Sequence, residues 1–260
     1  MVHLPKFWSF LTPACCLALI AMLLITVPPR VVQAQTIPAE ENDYQEEYNF
    51  GVNFNTNSSL IGGFMFKYGW LARKNQYNNI GFDLVQVNHP KELTYVSNLT
   101  NNTFTPYKTN YVVAFRPSFG REFILFRKGV EEGVHVNAIV AGGPSFAFVK
   151  PYYILYDPVA RNANNARSVP YDPSKHDVNY IFGRGQLLDG LGQLKAIPGI
   201  NLKGALSFEF GRFNGSLIGV ETGLNFDYYA NALPLLAGQA DNYNAWTSIY
   251  LVIYYGHKNP

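Results

Sequence analysis

Asn201–Gly211 reads NLKGALSFEFG, and its alternation decides the fold. Leu202, Gly204, Leu206, Phe208 and Phe210 fall on one parity; Asn201, Lys203, Ala205, Ser207 and Glu209 fall on the other. Successive side chains of a β-strand point to opposite faces, so the two sets line opposite sides of a sheet. One side is greasy and uncharged, the other polar and charged.

Seven other stretches repeat the pattern. They are 48–56, 59–70, 78–88, 109–119, 134–150, 216–229 and 245–256, with Ile200–Arg212 as the sixth in chain order. Eight strands of this kind predict an all-β fold, a transmembrane antiparallel up-and-down β-barrel. An Asn57-Ser58 turn links the first two strands, and the alternation slips at Val85-Gln86-Val87, which reads as a bulge. Gly142-Gly143-Pro144 reads as a kink in the fifth strand. Glu122–Lys128 (EFILFRK) either extends the fourth strand past a break at Pro117 and Gly120, with Gly129–Gly133 closing the hairpin, or is a strand of its own in a ten-stranded barrel. Gaps between strands alternate short and long, as in outer-membrane barrels with both ends in the periplasm.

Alternation alone does not say which side holds the apolar row. Volume does. The interior of an eight-stranded barrel is just filled by side chains, and it has no space for so many large rings. The opposite row, rich in Gly, Asn, Ser and Ala, fits there. A lipocalin-like soluble barrel is thereby disfavoured, because the apolar row would lie in water and aggregate. Hydrocarbon also demands that every backbone N–H and C=O pair within the protein, which a closed ladder achieves. Tyr48, Tyr68, Trp70, Tyr111, Tyr228, Tyr229, Trp246 and Tyr255 lie near strand ends and read as interfacial girdles.

The first residues carry an export signal. Lys6 supplies a positive start, Leu11–Val27 an apolar core, and Val32-Gln33-Ala34 a cleavage site. The expected organisation is a signal peptide over 1–34, an acidic solvated tail over 35–47 (QTIPAEENDYQEE) and the barrel over 48–260. Cys15 and Cys16, the two cysteines, both leave with the signal, so no disulfide is expected in the mature chain. Lys6 and Arg30 leave too, and the 18 remaining basic residues balance 18 acidic ones. No basic field exists to attract nucleic acid. Charged residues make up 15% of the chain, as do aromatics, against a usual quarter charged.

The inward row places Asn53, Lys67, Asp83, Arg116, His135, Lys203, Glu209, Glu221 and Asp227 in the lumen. Buried charges are costly unless paired, and both signs are present, so a plug of ion pairs is expected. The rival is a narrow porin-like path for small solutes or apolar molecules. A lipid-modifying enzyme would need a nucleophile beside a base. His89, His135, and His176 with Asp172, Asp177 and Ser168 are weak ingredients, and no G-x-S-x-G elbow is present. Gly183-Arg184-Gly185 lacks the rest of a phosphate loop. Gln186–Lys195 reads as a short amphipathic helix over the barrel mouth. No catalytic, cofactor or metal residue is assigned, and a small-molecule ligand stays unidentified.

Gly120–Gly129 (GREFILFRKG), Ala141–Pro151 (AGGPSFAFVKP), Ala196–Gly211 (AIPGINLKGALSFEFG) and Leu251–Gly256 (LVIYYG) are architectural motifs. With them the chain resembles small outer-membrane β-barrel proteins of Gram-negative bacteria. The resemblance implies residence in outer-membrane lipid after export, and passage through the barrel-assembly machinery. It carries over no activity. His257–Pro260 extends past the last aromatic, where assembly signals of such barrels end on one.

Overall fold

The computed structural model describes residues 44–259 except 60, 128–132, 160–163, 187, 214 and 238–241. The expected signal peptide and most of the acidic tail lie outside them. In chain order the strands are β1 Glu46–Asn55, β2 Gly63–Arg73, β3 Gln76–Val87, β4 Tyr95–Val96, β5 Thr103–Phe104, β6 Asn110–Phe126 and β7 Val134–Pro151. They continue as β8 Tyr153–Tyr156, β9 Arg167–Pro170, β10 Ile181–Arg184, β11 Lys195–Phe213, β12 Ser216–Tyr229 and β13 Ala245–Asn259.

Eight of them form a closed antiparallel barrel in the order β1-β13-β12-β11-β7-β6-β3-β2. Closure comes from β1 against β13, Glu46 opposite Asn259 through to Asn55 opposite Tyr250, so the wall has no edge. The start of β1 and the end of β13 meet at one rim, the terminal rim, together with the tight β2–β3 and β11–β12 turns. The other rim, the far rim, carries the long connections. There β10-β8-β9 form a three-stranded sheet and β4-β5 a two-stranded one.

Eight strands, not ten, make the wall, because Glu122–Phe126 continues β6. Pro117 and Gly120 do not break that strand. Its pairing with β3 runs unshifted from Val112 to Phe123. Nor does Gly142-Gly143-Pro144 shift β7, whose register with β11 is uniform from Val134 to Val149. The physical reason is local repair. Pro117 and Pro144, each without an N–H, lie in facing strands at a height where the β6–β7 pairs are interrupted. Asn201 from β11 fills the gap, its Nδ2 donating to the Gly143 carbonyl at 3.1 Å and the Pro144 carbonyl at 2.7 Å.

Three more expectations are corrected. Val85 and Val87 are buried in an unshifted β3, so the inward row simply becomes apolar there and no bulge exists. The β1–β2 connection runs from Thr56 to Gly62, longer than an Asn57-Ser58 turn. The barrel starts at Glu46, and Tyr44 is buried, stacked on Tyr77 at 4.1 Å, so the end of the acidic segment belongs to the barrel base rather than to a solvated tail.

The apolar row faces out on every wall strand. Leu202 is 60% exposed, Val140 63% and Phe50 59%, although all are strand residues. Phe50, Phe66, Phe82 and Phe115 run around four neighbouring strands with ring centroids 5.0, 5.7 and 5.5 Å apart. Such offset pairs each add roughly 0.5–1.5 kcal/mol beyond area burial. Tyr48, Tyr68, Trp70 and Tyr255 sit near the terminal rim, with Tyr111 and Tyr228 near the far rim. Tyr229 and Trp246, expected in the girdle, are buried inside instead, because their parity is that of Asp227 and Ser248.

Candidate functional site

Four buried cations organise the interior, from the terminal rim upward. Lys258 of β13 lies 2.5 Å from Glu209 and 3.8 Å from Glu47. Lys67 of β2 lies 3.1 Å from Glu122 and 3.5 Å from Glu221. Lys203 of β11 holds Glu221 at 3.0 Å and Asp83 at 3.2 Å, and the Tyr250 hydroxyl donates to Glu221 at 2.7 Å. Arg116 of β6 grips Asp227 at 2.7 Å, where Ser145 and Asn225 also donate. Lys258–Glu47 and Lys203–Glu221 join neighbouring strands, whereas Lys258–Glu209, Lys67–Glu122, Lys67–Glu221, Lys203–Asp83 and Arg116–Asp227 reach across the lumen between strands that are not neighbours.

All nine residues named for the lumen are inward and largely buried. Asn53 lies at mid-height, and His135 sits opposite Glu209 in the β7–β11 register. Three members of the network were missed by sequence reading: Glu47, Glu122 and Lys258, each only 3% exposed. The sequence reading puts Glu47 in the tail, Glu122 past a break at Pro117 and Gly120, and Lys258 in the C-terminal extension. Parity was the available signal, since Glu122 keeps the phase of Arg116 and Glu47 that of Asn53.

The interior is nearly full. One internal cavity, lined by Lys67, Asn79, Asp83, Lys203 and Glu221 among others, has about 10 Å³, room for about a single water. A Cβ on Gly219 would come within 2.3 Å of the Tyr254 ring. Gly219→Val is therefore expected to lose about 1–3 kcal/mol by overpacking, read from the unfolding midpoint in urea. An unchanged midpoint would mean the ring has space to move.

At the far rim the inward row turns apolar. Val87, Val112, Ala114, Ala147, Val149, Tyr229 and Trp246 enclose Leu233 and Leu235, both fully buried. These leucines come from the β12–β13 connection, which folds back into the mouth. Its hold is a set of hydrogen bonds: Thr109 N–H donates to the Leu235 carbonyl at 2.9 Å, and Asn110 Nδ2 to the Pro234 carbonyl at 2.6 Å.

Outside the mouth, the cap packs Phe104, Tyr152, Ile154, Tyr171 and Ile181 against Tyr111. Burial pushes the Tyr152 phenol up to about 12 and raises that of Tyr171. Ser174 and Lys175 hold the exposed Asp172 carboxyl well below its usual range. His176 Nδ1 accepts the Asp172 N–H at 3.0 Å, while Ser168 donates to Asp189, so these groups serve separate turns. His89 Nδ1 accepts the Lys91 N–H at 3.1 Å, and its ring stacks on Tyr243 at 5.8 Å. Within the stretch read as an amphipathic helix, residues 188–190 form a turn, Leu191–Gln193 a 3₁₀ segment, and Lys195 already begins β11. Gly190, held at φ 78°, and Gly192 interrupt the run.

No protein-family model matches the chain, and no curated protein does. Among solved structures the chain is similar to Neisserial surface protein A, at 6% identity over 82% of this chain and 95% of that one, with a TM-score of 0.35. It is also similar to Ail, the attachment invasion locus protein of Yersinia pestis, solved with the heparin analogue sucrose octasulfate. There the identity is 8%, over 83% of this chain and 99% of that one, with a TM-score of 0.36.

Proposed function

We propose that the chain is an integral outer-membrane barrel, reached after signal-peptide-directed export, whose role is to display a folded cap at the cell surface without catalysis. What supports this most is the inversion of the wall: exposed Phe, Leu, Ile and Val outside, paired charges inside. In water the outer belt would aggregate; in hydrocarbon it is at home. A scaffold role follows from the filled lumen and the plugged mouth, since eight strands leave no open bore. Its partners are then outer-membrane lipid and, during biogenesis, the barrel-assembly machinery.

Planar-bilayer recording separates this from the transport reading. Purified barrel is expected to give no steady conductance steps, because ions would have to pass the Lys67–Glu122–Glu221 layer and the Leu233–Leu235 plug. Reproducible unitary steps from folded protein would replace the scaffold role by a channel. Recovery of the protein in the aqueous fraction without detergent would remove the membrane reading itself.

A further inference from the structure

We propose that the outer wall near the terminal rim holds one anionic glycerophospholipid, its headgroup phosphate on Arg121 and an acyl chain in the hollow beside Gly142. This rests on the reading of the wall as lipid-facing, and names a specific lipid contact on it.

Arg121 interrupts the greasy outer row of β6. Phe115, Pro117 and Phe119 precede it on that parity, Phe123 and Leu125 follow it, and Arg121 itself is exposed. Among the described residues no carboxylate lies within ion-pair distance of its guanidinium, and no group accepts a hydrogen bond from it. Even the amide beside it is left alone. Asn78 lies opposite Arg121 in the β3–β6 register, yet Asn78 Oδ1 has no hydrogen-bond partner. A bare cation on a lipid-facing row is costly unless it reaches the interface and meets an anion there. Its height suits that. Asn78 also faces Trp70 in the β2–β3 register, and the Trp70 ring packs on Phe119 at 6.3 Å. Girdle rings such as Trp70 mark the level of the headgroups. A guanidinium fork at that level takes a phosphate through two charged hydrogen bonds.

The setting selects a lipid rather than a free anion. Gly142, outward on β7, lies opposite Phe119 on one side and Leu202 on the other. Having no side chain, it leaves a hollow in the outer face, enclosed by Phe119, Phe123, Val140 and Leu202 and lined at one edge by Arg121. A chain laid in the hollow and a phosphate on Arg121 belong to one molecule. With no described acid beside Arg121, a headgroup of net negative charge is favoured over one that carries its own ammonium.

The test uses the refolded chain in zwitterionic micelles, offered phosphatidylglycerol and phosphatidylcholine of matched chains, with bound lipid read by native mass spectrometry. Wild type is expected to retain phosphatidylglycerol with about tenfold preference, a difference of roughly 1.4 kcal/mol. Arg121→Gln should lose most of that preference and Arg121→Lys only part of it, both keeping the heat-dependent gel shift of a folded barrel. Arg73→Gln/Lys74→Gln, which removes two exposed cations at the β2–β3 turn, should leave the preference unchanged. No preference in wild type, or the same preference in folded Arg121→Gln, overturns the site. A loss in Arg73→Gln/Lys74→Gln as large as in Arg121→Gln replaces it by diffuse attraction to the rim. Displacement of the lipid by equimolar glycerophosphoglycerol, the same headgroup without chains, overturns the acyl contact in favour of a small anion. Failure of the membrane reading looks different: wild type would carry neither lipid and stay in water without detergent.

Discussion

Lys67→Met is expected to cost the barrel about 3–5 kcal/mol, the largest loss of any single interior change. The ammonium sits between two carboxylates, Glu122 and Glu221, whose side chains are 4% and 0% exposed. Glu221 keeps Lys203, but Glu122 is left with only the Asn137 amide among its described partners. A buried carboxylate that loses its cation keeps its full desolvation penalty, which is why breaking such a pair costs more than the pair contributes. One further contact goes with it, the approach of Lys67 to the Tyr254 ring at 5.6 Å. The measurement is urea unfolding of the refolded barrel, followed by the gel shift between folded and heated forms. Adding Glu122→Gln to Lys67→Met should recover part of the loss, since the stranded charge is then gone. A loss under about 1 kcal/mol for Lys67→Met would mean that water already reaches this layer, and the sealed interior would have to be abandoned.

Gly204→Arg is expected to cost about 2–4 kcal/mol in a bilayer, while Gly204→Leu costs nothing measurable. Gly204 is outward at mid-height of β11, opposite Val140 and Leu224, and a Cβ there would meet nothing within 4 Å. Neither substitution therefore disturbs packing, and the two differ only in what they present to the surroundings. Charge in hydrocarbon is penalised most at the midplane; leucine there is favourable. The folded fraction after refolding into phosphatidylcholine vesicles reads the difference. Should Gly204→Arg fold as well as Gly204→Leu, the outer belt faces something wetter than acyl chains. Inward positions obey a different limit, that of space. Gly219 lies on the polar row, yet the Tyr254 ring already occupies its side of the lumen.

Parity made the wall legible. Leu202 through Phe210 face out and Asn201 through Glu209 face in, as the alternation of NLKGALSFEFG required, and a count of large rings against lumen volume decided which side was which. What parity could not give is where the inward row changes character. Val87 looks like part of a slip, and Tyr229 and Trp246 like interfacial rings, because an inward apolar residue there makes sense only once Leu233 and Leu235 are present to meet it. For Val87 that contact spans well over a hundred residues, and for none of the three does it leave a period in the sequence. The prolines misled for a related reason: Pro117 and Pro144 look like breaks one strand at a time, and only the amide of Asn201, on a third strand, turns them into a tolerated gap. Lys258 was overlooked because assembly-signal logic ends at Tyr255, whereas charge pairing with Glu209 continues past it.

The leucines that stop the mouth are carried on the connection between the last two strands. The hairpin that seals the seam against β1 therefore also delivers the stopper. Closing the cylinder and drying its throat thus depend on the same stretch of chain.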